Sequence, residues 1–144
     1  DQNAIRFYHE YLSKLKKTRV KTIIDLYHIG NPVWIHKHGG WKSKEMVEKF
    51  LQYVELATGE YDQYIDYYQL LNEPSMVALA SSIGISLLSW QGVQKEAFAS
   101  VIASLDNMNE AVGKGYDIIH EKNSEAMVGV SNPLEPSAMV IESG

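Results

Sequence analysis

The chain has 144 residues, 45% of them hydrophobic and 22% charged, a balance that suits a single globular domain over residues 1–144 and excludes a disordered chain. Net charge is −5 with no block of like charges, which leaves no basic patch for nucleic acid; without cysteine there is neither a disulfide framework nor a thiolate nucleophile. No apolar run approaches the ~18 residues of a membrane span and no signal-peptide pattern opens the chain, so a cytoplasmic address is the expectation.

In chain order, Ile5, Tyr8, Tyr11 or Leu12, and Leu15 recur at helical spacing and predict a helix over 3–17. Residues 20–27 are short and β-rich and end at His28. Loop residues follow, with Gly30, Asn31, Pro32 and the pair Gly39-Gly40. Ser43 fits the N-cap of a helix whose apolar face is Val47, Phe50, Leu51 and Val54. Residues 64–71 form a second strand candidate, stopped by Pro74. The stretch 75–94 contains Ser and Gly and receives no element. From Lys95 to His120, Phe98, Ile102, Leu105, Val112, Tyr116 and Ile119 share one face of a long helix that Gly113 and Gly115 weaken. Residues 126–130 and 138–141 complete about four strand candidates. Strand and helix alternate, which argues for an α/β fold of βαβ units with a parallel sheet. An open doubly wound sheet and a (β/α)8 barrel both fit this alternation. A closed barrel takes ~250 residues, so this chain would supply about half of one.

Reactive groups in such folds gather at the C-terminal ends of the strands. His28, the pair Asn72-Glu73, and Glu142 stand at those ends. Two carboxylates are what retaining glycoside hydrolysis uses, one attacking the anomeric carbon and one giving the leaving oxygen its proton, at ~5–5.5 Å from each other. Plainer readings stand beside these. A strand-end Glu is commonly just solvated, Asn72 fits a turn cap, and a lone His28 is more often a hydrogen-bonded rim residue. His36 and His38 have no companion at metal-ligand spacing and read as loop residues. Trp34, Trp41 and Trp90 suit a sugar-stacking platform, or, for the first two, packing at a barrel rim.

The ordered set Leu26-Tyr27-His28, Pro32-Val33-Trp34-Ile35, Gly39-Gly40-Trp41 and Asn72-Glu73-Pro74 resembles the third and fourth strands of family 1 glycoside hydrolases, the β-glucosidase type. Glu73 follows His28 by 45 residues (73 − 28), room for the intervening loop and helix. The resemblance implies a partial (β/α)8 TIM barrel and retaining hydrolysis of a small β-linked glycoside. Glu73 would be the general acid and then the general base. Asn72 would hydrogen-bond the 2-hydroxyl, His28 another sugar hydroxyl, and Trp41 would stand at the rim. Ile141-Glu142-Ser143-Gly144 is similar to the family's seventh-strand motif, with Ser143 in place of Asn, and would make Glu142 the nucleophile. Only 69 residues (142 − 73) separate the two carboxylates, too few for the strands that lie between them in a complete member. Ile29 and Tyr68 stand where the family often has Trp. No metal or organic cofactor is implied. A self-associating barrel fragment without activity and a carbohydrate-binding pseudoenzyme are the alternatives.

Overall fold

The computed structural model describes residues 1–83 and 95–132. The chain opens with α1, Gln2–Lys17, capped by the Asp1 side chain, which accepts from the Asn3 N–H at 2.9 Å. Strand β1, Ile23–Asp25, leads to a short helix α2, Val33–Lys37, and a 3₁₀ turn over Gly40–Lys42. Helix α3, Lys44–Tyr61, starts at the expected cap: the Ser43 side chain accepts from the Glu45 N–H at 3.2 Å. Strand β2 is Tyr67–Asn72, followed directly by α4, Pro74–Ile83. Helix α5, Lys95–Lys122, precedes β3, Met127–Ser131.

Two of these elements differ from the sequence expectation. The stretch after Pro74 begins as a helix. Pro74 ends the strand, as expected, and also occupies the first helical position, where its fixed φ and missing N–H fit. Strand β1 has three residues rather than eight. Main-chain pairing nonetheless reaches past it: Leu26 N–H donates to Gln69 O and Asn72 N–H to Tyr27 O, both at 2.9 Å. The expected strand over 138–141 lies outside the described residues, so three strands are seen.

These three form a parallel sheet in the order β1-β2-β3, with helices in each crossover. Ile23, Tyr67 and Met127 are register partners and therefore share a face; Asp25, Gln69 and Gly129 form the next row on it. That face is open, with Ile23 66% and Met127 61% exposed. The opposite face carries Ile24, Tyr68 and Leu70 into a core with Val54, Ala57, Met108, Ala111 and Ile119. The alternation breaks at Leu70 and Leu71, both buried, where the β2–β3 register shifts between Gln69 and Asn72.

Helix α5 runs unbroken through both glycines. At Gly115 a Cβ would meet Leu70 Cδ2 at 3.0 Å, so the missing side chain lets α5 close on β2, a gain that offsets its weak helix propensity. Tyr68 is buried and donates its hydroxyl to Asp62 Oδ1 at 2.9 Å, beneath the sheet's N-terminal end. Helix α5 also holds the glycine turn: the buried Asn107 donates its Nδ2 to the Trp41 carbonyl at 2.8 Å. Asn107→Ala should leave that carbonyl unpaired and lower stability by about 1–3 kcal/mol, read as a shift of the urea midpoint at unchanged slope.

Candidate active site

The C-terminal ends of the three strands lie side by side, and the backbone fixes each of them. At the end of β1, Tyr27 is buried with its ring edge-on to Trp41, centroids 5.2 Å apart, and to Phe50, 6.5 Å apart. Its hydroxyl donates to the Ile29 carbonyl at 3.2 Å. Ile29 takes a left-handed φ of +62°, uncommon for a β-branched residue, and Gly30 N–H closes on the His28 carbonyl at 2.6 Å. This tight turn leaves His28 exposed at the rim.

At the end of β2, Asn72 is partly buried and its N–H donates to Tyr27 O at 2.9 Å. Glu73 follows with its N–H on the opposite neighbour, donating to Ser131 O at 2.7 Å. Its φ is +49°, a left-handed value that costs a non-glycine residue on the order of 1 kcal/mol or more and recurs where side chains are aimed at a site. The Glu73 carbonyl then accepts from Val77 N–H at 2.9 Å, so this one residue makes the corner between β2 and α4. The Asn72 side chain is tied as well. Its Oδ1 accepts from Ser131 Oγ at 2.8 Å and from Gln69 Nε2 at 3.3 Å. Beyond β3, Asn132 accepts from Ser75 Oγ at 3.2 Å. A cavity of about 580 Å³ lies between the loop after β1 and α4; Ile29, Asn31, Val33, Trp41, Val77 and Ala80 line part of it.

The structure thus brings His28, Asn72 and Glu73 together on adjacent strand ends. Glu142 and Trp90 lie outside the described residues. Trp41 does not stand free at the rim: it is 2% exposed, with Tyr27, Phe50 and the glycine turn packed around it, and what remains of its surface lines the cavity beside α4. Trp34, on α2, is 48% exposed. His36 lies in α2 rather than in a loop, and His38 has a carboxylate neighbour after all, Glu45 Oε2 at 3.2 Å from its Nδ1. No group of three potential metal ligands occurs among the described residues.

Sequence reading missed Asp25, Gln69, Ser131 and Asn132. The usable signal was a polar residue inside an apolar strand run, as in Ile-Ile-Asp-Leu and Tyr-Tyr-Gln-Leu. Asp25 shares the open face with Gln69. Burial pushes its carboxyl above the usual carboxylate range, opposed by the Tyr27 main-chain N–H, the His28 charge and the Gln69 amide.

Parallel strands joined through helices, with polar groups massed at their C-terminal ends, are the arrangement of a (β/α)8 barrel, and solved structures share it. The β-glucosidase of Exiguobacterium marinum aligns with a TM-score of 0.78 at 24% identity, over 94% of this chain and 30% of its own. The chain is therefore part of such a barrel. The sequence profile of glycosyl hydrolase family 1 matches residues 1–139, and the chain belongs to that family. A chloroplastic β-glucosidase-like protein of Oryza sativa subsp. japonica is 27% identical over 142 residues, 90% of this chain and 21% of the rice protein. An aryl-phospho-β-D-glucosidase of Bacillus subtilis (strain 168) is 25% identical over 138 residues, 91% of this chain and 29% of that enzyme. The chain thus spans less than a third of the length of these curated relatives.

Asp25 makes stability depend on pH in a stated direction. Its folded-state pKa lies above the ordinary value of 3.8, so the folded chain holds the Asp25 proton more tightly than the unfolded chain does. The resulting penalty is absent below about pH 3.8 and full above the folded-state pKa. Asp25→Asn should therefore raise the thermal midpoint near neutral pH, and the gain should vanish in acid. A gain that persists below that value would show that charge is not the cause.

Proposed function

We propose that this chain carries the acid/base half of a retaining β-glycosidase site, acting on β-linked glucosides. The observation that supports this best is the Glu73 corner. A carboxylate side chain stands at the C-terminal end of the middle strand, in a left-handed backbone conformation, next to Asn72 and one strand from His28. In this reading Glu73 protonates the departing oxygen and then takes the proton from water. Glu142 attacks the anomeric carbon and forms the glycosyl-enzyme that water resolves with retention. Asn72 hydrogen-bonds the 2-hydroxyl. His28 bonds a second hydroxyl and so penalises sugars that lack it. The cavity beside α4 would receive the leaving group, with Val77 and Ala80 about one turn and two turns after Glu73.

Further parts of the proposal follow from the open sheet. Exposed Ile23 and Met127 on an uncovered sheet face favour self-association of the isolated chain, and turnover by that chain alone would be low, because catalytic groups need their supporting shell. Among the described residues no helix is long and apolar enough to cross a membrane, and a cytoplasmic address belongs to the proposal.

In an active barrel containing this chain, Glu73→Gln should slow glycosides with poor leaving groups by roughly 10²–10⁴-fold and activated aryl glycosides far less. An equal loss on both substrate types would remove the acid role. A mechanism-based fluorosugar should label Glu142 covalently. Peptide mapping that finds the label on a different carboxylate would exclude Glu142 as nucleophile.

A further inference from the structure

Asn72 is held on one atom from two sides. Ser131 Oγ on β3 donates to Asn72 Oδ1 at 2.8 Å, and Gln69 Nε2, three residues earlier on β2, donates to the same oxygen at 3.3 Å. Asn72 and Ser131 are register partners, and the Ser131 main-chain oxygen accepts the Glu73 N–H at 2.7 Å. One β3 residue therefore contacts both Asn72 and Glu73. A primary amide has an accepting end and a donating end. A half-turn of the Asn72 amide would set its NH₂ against the NH₂ of Gln69, two donors with no acceptor between them, and a matching turn of Gln69 would take its NH₂ away from the Asp25 carboxyl, to which it also hydrogen-bonds. The serine hydroxyl can rotate to accept, but the Gln69 hydrogen bond would be lost.

We propose that Ser131 and Gln69 are positioning residues that lock the Asn72 amide with Nδ2 turned outward, so that Asn72 serves a bound sugar only as a hydrogen-bond donor. The inference rests on the glycosidase reading for its ligand, but the orientation of the amide does not. The sugar hydroxyl at Asn72 must then accept, which leaves its own proton to be given to a nearby acceptor. Specificity follows: a sugar without an acceptor at that position loses this contact and gains nothing from an intact Ser131.

The test follows the Asn72 side-chain NH₂ by NMR in this chain labelled with ¹⁵N-asparagine, the signal being assigned by its loss in Asn72→Asp. Ser131→Ala should move these signals and speed rotation about the amide bond, while Ser131→Thr, which keeps the hydroxyl, should retain the parent pattern. Gln69→Glu replaces the donor with an acceptor and should also move them, which keeps the test available if Ser131→Ala does not fold. Signals unchanged in Ser131→Ala and Gln69→Glu overturn the proposal whether or not the chain turns over a glycoside.

The kinetic arm, run in an active barrel containing this chain, compares an aryl β-glucoside with its 2-deoxy counterpart. Ser131→Ala should lower kcat/KM on the glucoside by about three- to tenfold, the worth of one hydrogen bond, and leave the 2-deoxy substrate unchanged. Equal losses on both overturn the positioning role. Altered signals in the chain, together with an assembled barrel that turns over neither substrate, support the positioning role and count against the glycosidase reading.

Discussion

The site depends on how far the β2 ladder runs. Asn72 gives its N–H to the β1 side and Glu73 gives its N–H to the β3 side, so both neighbours hold the chain up to the last residue before the helix. Only there does the backbone leave the sheet, with φ of +49° at Glu73. A left-handed corner at a non-glycine residue persists only where its surroundings over-determine it. Here they do: one hydrogen bond fixes the N–H of Glu73, another fixes its carbonyl to α4, and Pro74 sets the next φ. The main chain therefore sets the direction in which the Glu73 side chain leaves the corner.

The other strand end is set from the core. Helix α5 approaches β2 where Gly115 lets it, and from that position Asn107 reaches the Trp41 carbonyl. Trp41 in turn walls in Tyr27, whose hydroxyl ties down the turn at Ile29. The placement of His28 thus traces to a helix more than sixty residues later in the chain. Buried aromatic rings in edge-on contact resist rearrangement, since each ring must move its neighbours to move at all.

Much of this was legible in the sequence. The alternation of elements, the Ser43 cap, the long helix and the positions of His28, Asn72 and Glu73 follow from periodicity and turn residues. The family and the partial barrel, suggested by four short motifs, are shown by the comparisons. What escaped did so for physical reasons. Helix α4 hid because a proline after a strand reads as a stop, although it also starts a helix well. The burial of Trp41 escaped because a Gly-Gly-Trp run reads alike whether its ring faces solvent or core. Gln69 and Ser131 escaped because the register shift at Leu70-Leu71 puts two buried leucines in a row, which erases the period of two that would have shown which polar residues face the same way.

The open sheet face carries its own direction. Its first row is Ile23, Tyr67 and Met127, and its second is Asp25, Gln69 and Gly129. Asn72 and Ser131 follow at the C-terminal end, joined through their side chains. Along three parallel strands the surface passes from apolar to polar within a few residues. Because the strands run the same way, the polar ends add up at one edge, where an antiparallel sheet would have scattered them to both. Gly129 leaves space beside Gln69, and a Cβ there would meet nothing within 4 Å. Parallel topology and this polarity gradient together place His28, Asn72 and Glu73 at one end of the sheet, while the opposite end is tied by a separate polar set: Asp66 accepts from Lys21 Nζ at 3.0 Å and from the Thr22 N–H at 2.9 Å, and Asp62 accepts from the Tyr68 hydroxyl at 2.9 Å.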